Sequence, residues 1–146
     1  MQWSPLDLKN LAAVFDDMAD QVLNFRVQNG GALSQAQKNQ LTELFGQLDS
    51  QGEELENEAL KGALVDIDAS VVNLQNATHD AKSALKTITN VQNAISIAVA
   101  AVGLGAALLN PTPGSIAGSL DTLVQAIKTA NTKPATDPGA AAPKTP

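Results

Sequence analysis

The sequence predicts an all-α protein, an elongated bundle of long, heptad-like helices with an apolar helical hairpin at one end. Apolar residues recur at spacings of three and four along most of the 146-residue chain, the period of an amphipathic helix. Aromatic residues make up only 3% of the chain, so the core must be built from aliphatic side chains and alanine. One stretch, from Thr87 to Leu120, carries no charge at all. It contains the hairpin.

The first helix is expected at about residues 4–29. Ser4 is a suitable N-cap residue, Pro5 suits the first helical position, and Asp7 brings a carboxylate to the positive end of the helix. The glycine pair at 30 and 31 is expected to end it in the left-handed conformation that glycine tolerates. The helix carries one apolar seam, at Leu8, Leu11, Phe15, Met18, Val22 and Phe25.

The second helix is expected at about residues 34–51. Ser34 and Gln37 have the spacing of a capping box, and an apolar stripe follows. The stripe weakens near Gly52, but Glu and Leu are good helix formers. Either the helix continues past Gly52 with a kink or a short turn lies there, and the residue types favour a continuous helix with a local defect. The stripe comprises Leu41, Leu44, Phe45 and Leu48.

A long third helix is expected from Glu53 to Leu109, because no proline interrupts the pattern before Pro111. At 1.5 Å per residue it would be roughly 85 Å long. Every step of its seam is three or four residues. The seam comprises Leu64, Ile67, Val71, Leu74, Thr78, Ala81, Leu85, Ile88, Gln92, Ile95, Val99 and Val102.

A turn and a fourth helix complete the single domain expected over residues 1–131. Pro111 disfavours helix in the residue before it, and the fourth helix is expected at about 112–130. That helix is amphipathic, with Asp121, Gln125 and Lys128 opposite its apolar face. Residues 132–146 are rich in Pro, Ala and Thr, and they predict a disordered tail. The apolar face comprises Ile116, Leu120, Leu123, Val124 and Ile127.

The apolar hairpin, residues 94–118, is the candidate functional element. Its first arm, Ala94–Leu109, is apolar on every face, and such a helix must be buried in protein or in lipid. Small residues four apart, such as Gly114 and Gly118, allow helices to approach closely. The residues expected to contact a membrane or a partner are Ile95, Ile97, Val99, Val102, Leu104, Leu108, Leu109 and Ile116. Those expected at the turn or in close packing are Gly103, Gly105, Pro111, Pro113, Gly114 and Gly118.

Charge and residue types exclude several functions. The net charge is −6, and no basic stripe exists for nucleic acid to bind. The chain has no cysteine or tyrosine, and His79 is its single histidine. It shows no metal-ligand or catalytic spacing, and the paired Glu54 and Glu58 belong to a solvated acidic run. The sequence therefore predicts a non-enzymatic protein without a catalytic site, cofactor, metal or small-molecule substrate.

The seam from Leu64 to Ile95 and the apolar segment Ala94–Leu109 together resemble the α-helical pore-forming toxins of the cytolysin A and tripartite haemolysin type. The resemblance is one of pattern, and it covers about residues 34–130. It implies a soluble form that conceals the apolar segment, and a membrane-bound form in which this segment enters the bilayer on assembly.

Two functions follow from the hairpin. The first is a membrane-interacting protein, pore-forming or membrane-inserting, which acts through the hairpin after self-assembly. The alternative is a soluble assembly module whose hairpin is the core of a homo- or hetero-oligomer. The N-terminus has no basic or apolar leader, which predicts synthesis as a cytoplasmic protein. Later release or membrane association stays open.

Overall fold

The computed structural model describes residues 2–60, 65–66, 71–110 and 114–131, and these residues form a bundle of five α-helices. They are α1 (Pro5–Gln28), α2 (Gln35–Leu60), α3 (Val71–Thr87), α4 (Val91–Leu109) and α5 (Ser115–Asn131). Two short strands, β1 (Gln2–Trp3) and β2 (Val65–Asp66), pair antiparallel. The predicted all-α bundle is confirmed. The tail predicted at 132–146 lies outside the described residues.

Capping boxes begin the first two helices, as the sequence predicts. The Ser4 hydroxyl accepts the Asp7 N–H at 3.1 Å, and the Ser4 N–H donates to the Asp7 carboxylate at 3.0 Å. Ser34 and Gln37 form the same pair of bonds, at 3.1 and 2.9 Å. All six residues of the α1 seam are buried. The N-terminal half of the fold is therefore encoded locally.

The end of α1 differs from the prediction. Neither Gly30 nor Gly31 has a positive φ; among the described glycines only Gly114 does, at 77°. Instead, the backbone and side-chain amides of Asn29 both donate to the Phe25 carbonyl, at 3.0 and 2.9 Å. A 3-10 turn, Gly30–Ala32, then leads into α2. Asn29 satisfies the terminal carbonyl, and no left-handed glycine is required.

The predicted long third helix is wrong. The expected continuity through Gly52 is confirmed, because α2 runs from Gln35 to Leu60. Val65–Asp66 is extended, however, and α3 and α4 are separate helices. The break between them follows from residue type. Thr87, Ile88 and Thr89 are β-branched and favour helix weakly. Asn90 then caps α4, because its side chain accepts the Asn93 N–H at 2.9 Å.

The break at Asn90 changes which face of α4 is buried. Gln92 and Val99 continue the seam of α3 in sequence, and both are exposed. Had α3 and α4 been one helix, these residues would have faced inward with Leu85. The buried face of α4 instead comprises Ala94, Ile95, Ile97, Ala98, Ala100, Ala101, Leu104, Gly105, Ala107 and Leu108.

The helices pack in a closed arrangement around one core. Helices α1 and α2 form one hairpin, and α4 and α5 form a second. Helix α2 packs against α4, while α3 packs against α1 and α5 and also touches α4. All five helices contribute fully buried side chains. Phe15, Leu48, Leu74, Ile97 and Leu123 are among them.

We expect Asn90→Ala to lower the free energy of unfolding by about 1 kcal/mol, because it removes the cap of α4. Asn90 is exposed, so the substitution disturbs no packing. Asn90→Asp is the control: it keeps the acceptor and adds a negative charge at the helix N-terminus. Denaturant unfolding followed by circular dichroism measures both variants. If Asn90→Ala were as stable as the native chain, Asn90 would not define the start of α4.

Candidate functional site

Helix α4 is covered by its own chain. Of the eight apolar residues predicted to contact a membrane or partner, Val99 alone is exposed, with 47% of its surface accessible. Val102 and Leu109 are half-buried. The remaining five lie in the core: Ile95, Ile97, Leu104, Leu108 and Ile116. The structure therefore brings most of the predicted contact residues together, but against α2, α3 and α5.

The outer face of α4 is also uncharged. It comprises Gln92, Ser96, Val99, Gly103 and Ala106, which we call the α4 strip. A helix in a soluble bundle needs an apolar face only where it meets the core, and its outer face is free to carry charge. The amphipathic α5 does so, with Asp121 and Lys128 exposed. Burial in the core accounts for the inner face of α4 and leaves the strip unexplained.

An open groove of about 630 Å³ runs beside the α4 strip, between α2, α4 and α5. Its walls combine small apolar side chains with hydroxyl and amide groups, and none of the ten described residues that line it is charged. The sequence did not predict this groove, because its position depends on the register of α4. The lining residues are Gln40, Gln92, Ile95, Ser96, Val99, Ala100, Gly103, Ser119, Thr122 and Ala126.

The predicted close-packing glycines divide into two groups. A Cβ atom built on Gly105 would lie 2.7 Å from the Phe15 ring and closer still to the Gln51 side chain. A Cβ atom on Gly103 or Gly118 would have no neighbour within 4 Å among the described residues, so neither glycine serves close packing there. Their packing against another molecule stays a prediction. Gly114 lies at the turn with positive φ, whereas Pro111 and Pro113 lie outside the described residues.

Gln51 contacts α4 directly, a feature that the sequence analysis missed. Its side-chain Nε2 donates to the Val102 carbonyl oxygen at 2.9 Å. Its Oε1 is buried and has no hydrogen-bond partner within the described part of the chain. The signal was present in the spacing, since Gln51 is three residues after Leu48 and four before Leu55, both buried. An inward-facing polar residue was therefore predictable, but its partner was not.

Acidic side chains crowd where α1 crosses α2. The pKa of Asp16 is raised above 3.8, first by partial burial of its carboxylate and then by repulsion from Asp49, Glu56, Asp20 and Asp17. The Asp16 carboxylate lies against Gly52, where a Cβ atom would collide with it. This close crossing explains why a glycine lies within α2 without ending it.

No metal centre accompanies these acids in the described residues. No group of three or more His, Asp or Glu side chains there is arranged to hold a metal ion. His79 is exposed on α3, and Glu54 is exposed on α2. The chemistry within the described part of the chain therefore consists of apolar surface, small polar groups and one crowded acidic crossing.

Comparison with protein-family models, with curated proteins and with solved structures found no match.

We expect Gly105→Ala to lower the free energy of unfolding, because the added methyl group would collide with the Gln51 side chain and the Phe15 ring. Overpacking of this kind costs about 1–3 kcal/mol, which exceeds the gain in helix propensity of about 0.5–1 kcal/mol. Gly103→Ala is the matched control in the same helix. It adds a methyl group in open space and should raise stability by about 0.5–1 kcal/mol through helix propensity. Thermal unfolding of both variants measures the difference. If both variants were more stable than the native chain, Gly105 would not be closely packed.

We expect Asp16→Asn to raise stability near neutral pH by about 0.5 kcal/mol or less, because an exposed charge is screened by solvent. A carboxyl group whose pKa is higher in the folded chain disfavours folding when it is ionised. The cost is present above the raised pKa and disappears as the pH falls toward 3.8. The advantage of the variant should therefore shrink on acidification.

Asp17→Asn is the control for this pH dependence. Asp17 forms an ion pair with Lys82 at 3.2 Å, so its loss should lower stability slightly at neutral pH. Urea unfolding of both variants at pH 7 and at pH 4 separates the two effects. A stabilisation by Asp16→Asn that did not change with pH would contradict the assigned cause.

Proposed function

We propose that this chain is a non-enzymatic, membrane-interacting protein, and that α4 is the segment that enters the bilayer. The observation that carries the proposal is the absence of charge from both faces of α4, the exposed α4 strip included. The bundle requires only the buried face to be apolar. A second apolar environment is consistent with the composition of the other face.

The dimensions of α4 suit this role. Its 19 residues are about 28 Å long at 1.5 Å per residue, close to the roughly 30 Å hydrocarbon core of a bilayer. Among the described residues it is the one helix long and apolar enough to cross a membrane. A buried core helix meets the same criteria, and more than half of α4 is buried. Length and hydropathy therefore do not distinguish a membrane helix from a core helix, and the uncharged, exposed α4 strip is the observation that favours the membrane.

The connections of α4 suit its movement. On its N-terminal side it joins α3 through the non-helical residues 88–90, so it can rotate without unwinding α3. On its C-terminal side it leads into α5, which carries exposed Asp121 and Lys128. Charged side chains at the centre of a bilayer are costly, so α5 belongs at the membrane surface as an amphipathic helix. In this arrangement α4 inserts and α5 remains interfacial.

The alternative is a soluble assembly module, and the groove favours it. The α4 strip lines one wall of an uncharged groove with small side chains, and a helix of a second chain could approach its backbone closely. In this case protein, rather than lipid, covers Val99. Both functions place the same strip at the interaction surface.

Flotation of the purified protein with liposomes, compared with its mass in solution, tests the proposal. Val99→Asp is the informative variant, because Val99 is exposed and the substitution should leave the fold intact. A charge at mid-helix should weaken insertion by about 2.5–3.5 kcal/mol. Leu104→Asp is unsuitable, because Leu104 is fully buried and the variant should unfold. Val72→Asp, at an exposed valine on α3, is the matched control.

The proposal expects the native chain and Val72→Asp to float, and Val99→Asp to stay with the soluble fraction as a folded protein. Leakage of an enclosed dye then tests whether the inserted chains form a pore. If the native chain instead stays in solution as an oligomer that Val99→Asp dissociates, the assembly function replaces the membrane function. If Val99→Asp floated as well as Val72→Asp, α4 would be excluded as the inserting segment.

A further inference from the structure

Gln51 of α2 reaches into the interface with α4 and bonds to its backbone. It lies between Leu48 and Leu55, which are both buried in the core. Its bond to the Val102 carbonyl joins residues 51 positions apart. In an α-helix that carbonyl already accepts the Ala106 N–H, so α4 does not depend on Gln51 for its own hydrogen bonding.

Only one of the two polar atoms of the Gln51 carboxamide forms a hydrogen bond in this contact. The Gln51 amide donates one hydrogen bond, but its Oε1 is buried without a partner in the described residues. A buried acceptor without a hydrogen bond costs about as much free energy as one bond contributes, or more. The carboxamide therefore adds little net stability to the closed bundle, and an apolar side chain of similar length should add more.

The surroundings of the contact do not relieve this cost. The carboxamide lies directly on Gly105, and the buried Phe15 ring borders the same space. The backbone of α4 can approach only because Gly105 has no side chain. Within the described chain, no donor reaches the Oε1 atom. When α4 moves away from α2, water can reach both polar atoms of Gln51, and the penalty disappears.

We propose that Gln51 is a weak polar latch that sets the position of α4 on α2 and keeps the free energy needed to detach α4 low. Its bond to Val102 fixes the register of the two helices. Its unpaired oxygen favours the detached state relative to an apolar residue at the same site. The consequence for membrane entry rests on the proposed function, whereas the effect on detachment does not.

Hydrogen exchange of the full chain in solution, without lipid, tests the latch itself. We expect the amides of α4 to exchange about tenfold more slowly in Gln51→Met, because methionine fills the same space without an unpaired acceptor. The amides of α1 should gain less protection, because the latch acts on local detachment. Gln51→Leu is a second apolar variant that guards against poor packing of methionine. Gln47→Met is the control, because Gln47 is exposed on the same helix.

Faster exchange of α4 in both Gln51 variants would overturn the latch, because the native hydrogen bond would then be net stabilising. An equal gain of protection in all five helices would also overturn it, since Gln51 would then act on global stability alone. Slower exchange confined to α4 supports the latch.

Flotation of the same variants with liposomes separates the latch from the proposed function. Slower exchange of the α4 amides, together with a smaller fraction of protein that floats with the liposomes, supports both the latch and the membrane function. If the α4 amides of the Gln51 variants exchange more slowly but the native chain does not float, the latch is supported and the membrane function is excluded. Slower exchange of α4 with unchanged flotation would show that detachment from α2 does not limit insertion, and would overturn the role of the latch in membrane entry.

Discussion

The structure depends on covering one helix that has no charged face. Helix α4 contributes four large buried side chains to the core, and burying them stabilises the fold by about 6–12 kcal/mol. That is comparable to the whole stability of a small domain, about 5–15 kcal/mol. Helices α2, α3 and α5 each provide an apolar face for this purpose. The packing of α2, α3 and α5 around α4 follows from this requirement, whereas the α1–α2 hairpin is held by its own buried seam.

Coverage of α4 is incomplete at two places, and the candidate functional features lie there. On one side the α4 strip borders an uncharged groove that the chain leaves open. On the other side the Gln51 carboxamide replaces an apolar contact against Gly105. The acidic crossing at Asp16 is a third imperfection, on the hairpin that supports α4. Each lowers the stability of the closed bundle relative to a fully apolar, uncrowded version.

The sequence predicted what depends on neighbouring residues and missed what depends on register between helices. Both capping boxes and the α1 seam were predictable, since each involves residues within a few positions of one another. The predicted long third helix is interrupted at Val65–Asp66, which is extended, and again at Asn90. At Asn90 the period of three and four continues through the break, while the β-branched run and the Asn90 cap end one helix and begin the next. Because α4 is a separate helix, Val99 faces solvent instead of the core side on which the continuous seam would have placed it. The groove and the hydrogen-bond partner of Gln51 depend on how α4 is rotated and aligned against its neighbouring helices. Neither could therefore be predicted from the sequence.

The energetics link the two proposed functions. Detaching α4 uncovers its own apolar face and also the faces of α2, α3 and α5 that had covered it. Lipid can bury α4, but the faces left behind stay exposed to water unless another surface covers them. A second chain that has also released its α4 exposes the same apolar faces, and any binding between them would stabilise the open form by mass action. Under the proposed membrane function, assembly would therefore favour insertion, and both would become more favourable as protein concentration rises at the membrane.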